Sequence, residues 1–177
     1  MQPEPDTKDW TWVLREQCPE CGFEAGRPAR AELAPLTRDI GRRWVEVFGA
    51  IADPHPRPAP TVWSPLEYAC HVRDVFAIAT YRVGLMRDED SPTFPNWDQD
   101  ATAIQNDYAS QDPAAVADAL ARNAAEFADV VASVRDDEWE RPGLRGGGSA
   151  FTVESYTRYL LHDPAHHLTD VTGERFA

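Results

Sequence analysis

The sequence predicts an all-α protein, a four-helix bundle preceded by an N-terminal arm. Three observations carry this expectation. Four stretches place apolar residues at intervals of three and four, no stretch alternates apolar and polar residues in the manner of a half-buried strand, and no segment repeats. The 177 residues suit one domain, so the helices share a single core. We divide the chain into an arm over residues 1–28 and a bundle over residues 29–177.

The arm has no sustained period, but it carries Trp10, Trp12 and the run Cys18-Pro19-Glu20-Cys21-Gly22. From about Ala31 to Ile51, Leu33, Leu36, Ile40, Trp44, Val47 and Ile51 mark the first helix. Residues 52–62, ADPHPRPAPTV, are too rich in proline for anything but an extended loop. The second helix opens at Ser64 as N-cap, Pro65 at the first helical position and Glu67 completing a capping box, and it should reach about Met86. On its wheel His71 shares the apolar arc with Tyr68, Val75 and Ile78, so the imidazole points inward. A loop over 88–100 and a short helical piece near Ala101 to Tyr108 lead to the third long helix. That helix is capped by Asp112-Pro113, with a core stripe of Val116, Leu120, Phe127, Val131 and Val134. Residues 140–151, ERPGLRGGGSAF, form a loop.

The last helix, from Thr152 to the stop at Gly173, carries the most chemistry. It holds three of the five histidines, and His162 and His166 stand four apart, on one face. Ser155, Tyr159, His162, His166 and Thr169 form a polar stripe opposite Val153, Leu160, Leu161, Leu168 and Val171. His167 falls nearer the aliphatic side and is left out of the site. Pro164 removes one ladder bond at a cost of about 3 kcal/mol, so the helix should kink there or be braced by its neighbours.

A formal net charge of −13 repels phosphate backbones and anionic membranes, which argues against a nucleic-acid or membrane-surface role. The N-terminal MQPEPDTKDWTWV lacks the basic and apolar regions of a signal peptide, and no later run approaches the roughly 18 apolar residues of a spanning helix. Three cysteines are an odd number and too few for a disulfide framework, so the expected compartment is the cytoplasm.

A bundle buries one face of each helix, so an inward His71 can meet the His162/His166 pair. Three neutral imidazoles suit zinc, nickel, iron or copper and leave a coordination position open. Such an ion polarises a carbonyl, activates water or binds a thiol as thiolate; the pattern does not choose. Asp74, Asp163 and Asp170 lie where a carboxylate can orient an imidazole, but the sequence favours plain surface solvation for each. Cys18 and Cys21 have the spacing of half a zinc site, of a redox pair or of two thiols in a turn. No second C-x-x-C or H-x-x-H completes four ligands. Cys70 reads as a small buried side chain.

The run WSPLEYACH (Trp63 to His71), followed far downstream by HDPAH (His162 to His166), resembles the DinB-like (DinB/YfiT) superfamily over about Ala29 to Val171. The resemblance implies a four-helix bundle, often dimeric. It also implies a divalent metal, zinc or nickel, held by one histidine of the second helix and an HxxxH pair of the fourth, positions that match His71, His162 and His166 here. Relatives include enzymes that use low-molecular-weight thiols, such as mycothiol-dependent maleylpyruvate isomerase. The implied activity is a metal-dependent enzyme activating water or such a thiol for transfer or isomerisation on a small-molecule substrate. The alternative is a non-catalytic bundle that binds metal or a partner. Pro164 and the CPECGF arm are not part of the family's pattern as it is seen here.

Overall fold

Helix α1 (Arg30–Ala50) begins without a side-chain acceptor at its N-cap, because Ala29 has none. Glu32 compensates by accepting a hydrogen bond from the Ala29 N–H at 2.6 Å. The computed structural model describes residues 9–146 and 148–176, and its long helices follow the periodic stretches closely. Helix α2 (Pro65–Asp88) starts with the expected reciprocal cap: Ser64 Oγ accepts from the Glu67 N–H at 3.2 Å, and Glu67 accepts from the Ser64 N–H at 2.8 Å. After a short helix α3 (Gln99–Gln105), helix α4 (Pro113–Ala132) is capped by Asp112, whose carboxylate accepts from the N–H groups of Ala114 and Ala115. Helix α5 (Val153–Thr172) is capped by Thr152 and stopped by Gly173 at φ +73°, a backbone region that glycine enters without a Cβ penalty.

In space α4 lies between α1 and α2, while α5 packs mainly on α2 and more lightly on α1, so the ring order is α1–α4–α2–α5. The two helices joined by the proline-rich loop therefore sit diagonally. The shared core contains the fully buried Trp44, Phe76, Leu120, Phe127, Tyr156 and Leu161. Helices α1 and α4 approach so closely at Gly41 that a Cβ there would lie 2.5 Å from the Cβ of Ala124.

Three short strands depart from the expectation of helices alone. β1 (Thr93–Phe94) runs parallel to β2 (Pro142–Arg145), which pairs antiparallel with β3 (Ser149–Thr152). The stretch expected as a plain loop is thus a hairpin. At two to four residues each, with Pro142 and Gly143 in the central strand, these segments are too short to show a period of two.

Pro164 does not end α5. Its side chain is buried, and its carbonyl accepts a hydrogen bond from Trp44 Nε1 of α1 at 2.8 Å, the brace from a neighbouring helix. Among the described residues no helix is long and apolar enough to cross a membrane.

Candidate metal centres

The run His162-Asp163-Pro164-Ala165-His166-His167 holds two i, i+4 pairs one residue out of step. At about 100° per residue, His162/His166 face one way and Asp163/His167 face the next sector of α5. The neighbours of α5 complete a different group on each side.

On the first side the arm folds against α5. Cys18, Cys21, His162 and His166 bring four ligand atoms within 4.8 Å of one another. Cys18 Sγ lies 3.7 Å from His166 Nδ1, and Cys21 Sγ lies 3.7 Å from His162 Nε2. The arm is shaped by its own backbone: Cys18 N–H donates to Phe23 O at 2.9 Å, Gly22 N–H donates to Cys18 O at 2.8 Å, and Phe23 N–H points at Cys21 Sγ at 3.4 Å. Gly22 makes this reversal at φ +83°. The C-terminal tail lies over the turn, with Phe176 N–H on Cys21 O and Arg175 on Pro19 O. Both cysteines are fully buried and His162 nearly so. Burial pushes the Cys21 thiol up to about 12 and the His162 imidazole down to about 4, so both side chains are neutral when no cation is present.

On the second side, facing α2, His71, Asp163 and His167 form another group whose donor atoms lie within 4.8 Å. Asp163 Oδ1 is 3.1 Å from His71 Nε2 and 3.7 Å from His167 Nε2. Burial opposes the charge on Asp163, but the imidazoles of His71 and His167 outweigh it and hold the carboxyl well below the usual range. His167 Nδ1 is 2.7 Å from Asp170 Oδ2, which orients the ring from behind. His71 has no exposed surface; its ring stacks on Trp97 at 5.2 Å between centroids and lies 5.2 Å from Trp63. Its Nδ1 is buried without a hydrogen-bond partner among the described residues.

A cleft of about 670 Å³ opens beside α5, with Asp163 and His167 of this group and His162 and His166 of the first on its wall, together with Tyr68, Trp97, Tyr159, Arg82, Arg145 and the carboxylates of Glu20, Asp98, Asp100 and Asp170. Its size is that of a small-molecule pocket. Arg145 donates to the Tyr159 hydroxyl at 2.9 Å, and Arg82 donates to the Tyr156 hydroxyl at 3.1 Å and to Pro95 O at 2.7 Å. Among the described residues neither guanidinium has a carboxylate within 4 Å. For Arg82, only 8% exposed, that leaves a buried positive charge facing the cleft.

The three histidines expected around one ion are thus divided. His162 and His166 do come together, but with Cys18 and Cys21; His71 comes instead to Asp163 and His167. The inward direction of His71 holds. Asp74 does not reach His71, being engaged by Arg73 and by the Tyr108 hydroxyl. Cys70 is buried as expected, with its Sγ near Tyr108 O and the Gln111 side chain. Ser155 belongs to the cap of α5, while Tyr159 lines the cleft. The sequence offers Asp163 only as a carboxylate that can orient an imidazole and sets His167 aside, although their i, i+4 pair stands in the same six-residue run. The C-x-x-C and the H-x-x-x-H are both visible, and together they offer four candidate ligands.

Comparison with known proteins agrees with this architecture. The model of the DinB superfamily matches residues 26–171. The chain superposes on YfiT from Bacillus subtilis, described as a probable metal-dependent hydrolase with an unusual four-helix bundle topology. The TM-score is 0.73 at 14% sequence identity, over 94% of this chain and 97% of that one. No curated protein matches in sequence.

Proposed function

Since the chain belongs to the DinB superfamily, we propose that it is a metal-dependent enzyme whose reaction centre is His71, Asp163 and His167, with Asp163 and His167 on the wall of the cleft and His71 buried behind them. The observation that carries this reading is the convergence of two imidazoles and a carboxylate on one point, next to open space. Two nitrogens and one oxygen suit zinc, and nickel or iron also accept such a set. A divalent ion held there supplies Lewis-acid chemistry, which makes water or a low-molecular-weight thiol nucleophilic near neutral pH.

The protein's own residues supply the rest. Asp170 holds His167 by its Nδ1, leaving Nε2 toward Asp163. Trp63 and Trp97 pin the His71 ring and keep it dry. Arg82 and Arg145 place two guanidinium groups on a wall that also carries Glu20, Asp98, Asp100 and Asp170, so one end of the cleft can meet an anionic group of a small substrate such as a carboxylate. Hydrolysis or thiol transfer on such a molecule is the reading these features support best, with the site reached from the cytoplasm. The cleft favours this over a purely partner-binding bundle, in which the histidines would be closed off.

The test is metal analysis of the untagged full chain beside His71→Ala, Asp163→Asn and His167→Ala, with each protein assayed against carboxylate esters, amides and thiol acceptors. The variants should lose one bound ion and all turnover. Undiminished metal content in all three would refute the assignment.

A further inference from the structure

We propose that Cys18, Cys21, His162 and His166 form a second, structural zinc site, distinct from the group of His71, Asp163 and His167, that fastens the N-terminal arm to α5. The argument starts from the donor set. Two thiolates and two imidazoles are a complete tetrahedral shell with no open position, the composition of structural rather than catalytic zinc. In a tetrahedron with Zn–S near 2.3 Å and Zn–N near 2.0 Å, a sulfur and a nitrogen stand about 3.5 Å apart. Two of the four sulfur–nitrogen pairs, Cys18 with His166 and Cys21 with His162, stand at 3.7 Å, and all four donor atoms lie within 4.8 Å of one another.

One backbone donor already faces the sulfur. Phe23 N–H is directed at Cys21 Sγ, a donor that stabilises a thiolate, and the reversal that places it there uses Gly22 at φ +83°. A side chain added at Gly22 would also meet Arg175 Nε at 3.1 Å and Phe176 O at 3.3 Å. His166 turns Nδ1 toward Cys18 and Nε2 toward the carboxylates of Glu20 at 3.5 Å and Asp170 at 3.8 Å, so its second nitrogen has the acidic neighbours that ligating histidines use. Loading is balanced: one Zn²⁺ enters, the two thiols release two protons to solvent, and nothing is oxidised or reduced.

The consequence is structural. The arm lacks a periodic apolar face of its own, yet Val13, Cys18, Cys21 and Phe23 are buried. Its Trp10 ring lies 5.2 Å from both His162 and His166 and also lines the cleft. An ion at this site would lock one face of α5, and the Asp163/His167 pair stands on the adjacent face.

The experiment uses the full untagged chain carrying His71→Ala and Asp163→Asn, which removes two donors of the other group and leaves this one whole. X-ray absorption at the zinc edge should show one zinc per chain, with two sulfurs at about 2.3 Å and two nitrogens at about 2.0 Å. Cys18→Ser with Cys21→Ser should abolish that signal. It should also open residues 15–28 to limited proteolysis. Should the double variant not fold, cobalt is added to the metal-stripped wild type instead; the expected result is a thiolate charge-transfer band within the first two equivalents. A zinc shell without sulfur, no zinc at all, or a Cys18–Cys21 disulfide in protein isolated under reducing conditions would overturn the proposal.

Discussion

Trp44 of α1 donates its indole N–H to the carbonyl of Pro164 of α5 at 2.8 Å, between the two turns that carry His162 and His166. The bond ties the proline-interrupted segment of α5 to the core at the place where the helix ladder lacks a donor. Trp44→Phe loses this bond and part of a fully buried ring. It should cost about 2–3 kcal/mol of unfolding free energy, read as a lower urea midpoint at unchanged slope. An unchanged midpoint would mean that α5 is braced elsewhere.

The Asp170 carboxylate behind His167 has a measurable job if the cleft-facing group holds metal. Asp170→Asn should weaken that ion by about 10–100-fold, followed by competition with a chromophoric chelator. The helix content by circular dichroism should stay as in the wild type, because Asp170 is near the end of α5 and partly exposed.

Glu67 closes the cap of α2 and also takes a forked ion pair from Arg57 of the proline-rich loop. Burial disfavours its charge, but the hydrogen bonds from Arg57 and from Ser64 win and keep the carboxyl below its ordinary value. A carboxylate depressed in the folded state stabilises at pH above its unfolded value, and this contribution fades as pH falls through the folded one. Wild type should therefore exceed Glu67→Gln in stability at pH 7, with the gap shrinking below about pH 4. A gap independent of pH would mean that the carboxylate charge contributes nothing.

At the α1–α4 contact, Gly41→Ala introduces a methyl group into space occupied by Ala124. Overpacking of this kind should cost about 1–3 kcal/mol. Adding Ala124→Gly should recover part of the loss, and the double-mutant cycle should give a coupling of at least about 0.5 kcal/mol.

Arg145 tests the anionic character of the cleft. Calorimetric titration with succinate should show Arg145→Gln binding about tenfold more weakly than wild type, or about 1.4 kcal/mol. Equal affinities would remove the argument for an anionic substrate.

Much of the scaffold is readable from the chain. Ser64-Pro65-Leu66-Glu67 specifies the start of α2 because the cap is a local hydrogen-bond exchange. Asp112-Pro113 does the same for α4, and Gly173 ends α5 where a left-handed residue is needed. The hairpin over Pro142–Thr152 is not readable because its four-residue strands are too short to show a period of two, and the parallel pairing of β1 with β2, Phe94 beside Arg145, spans a distance in sequence that no local pattern reports.

For the candidate site, the sequence alone determined in which direction several side chains leave their helices: His71 inward, His162 with His166 on one face. It did not say what stands opposite. Helical periodicity is an angle about one axis, whereas a ligand group is a distance between several, and α2 and the arm approach α5 from different sides. That arrangement decided that the C-x-x-C meets one histidine pair while His71 meets Asp163 and His167, because a turn of 100° along α5 moves a side chain from one neighbour to the other.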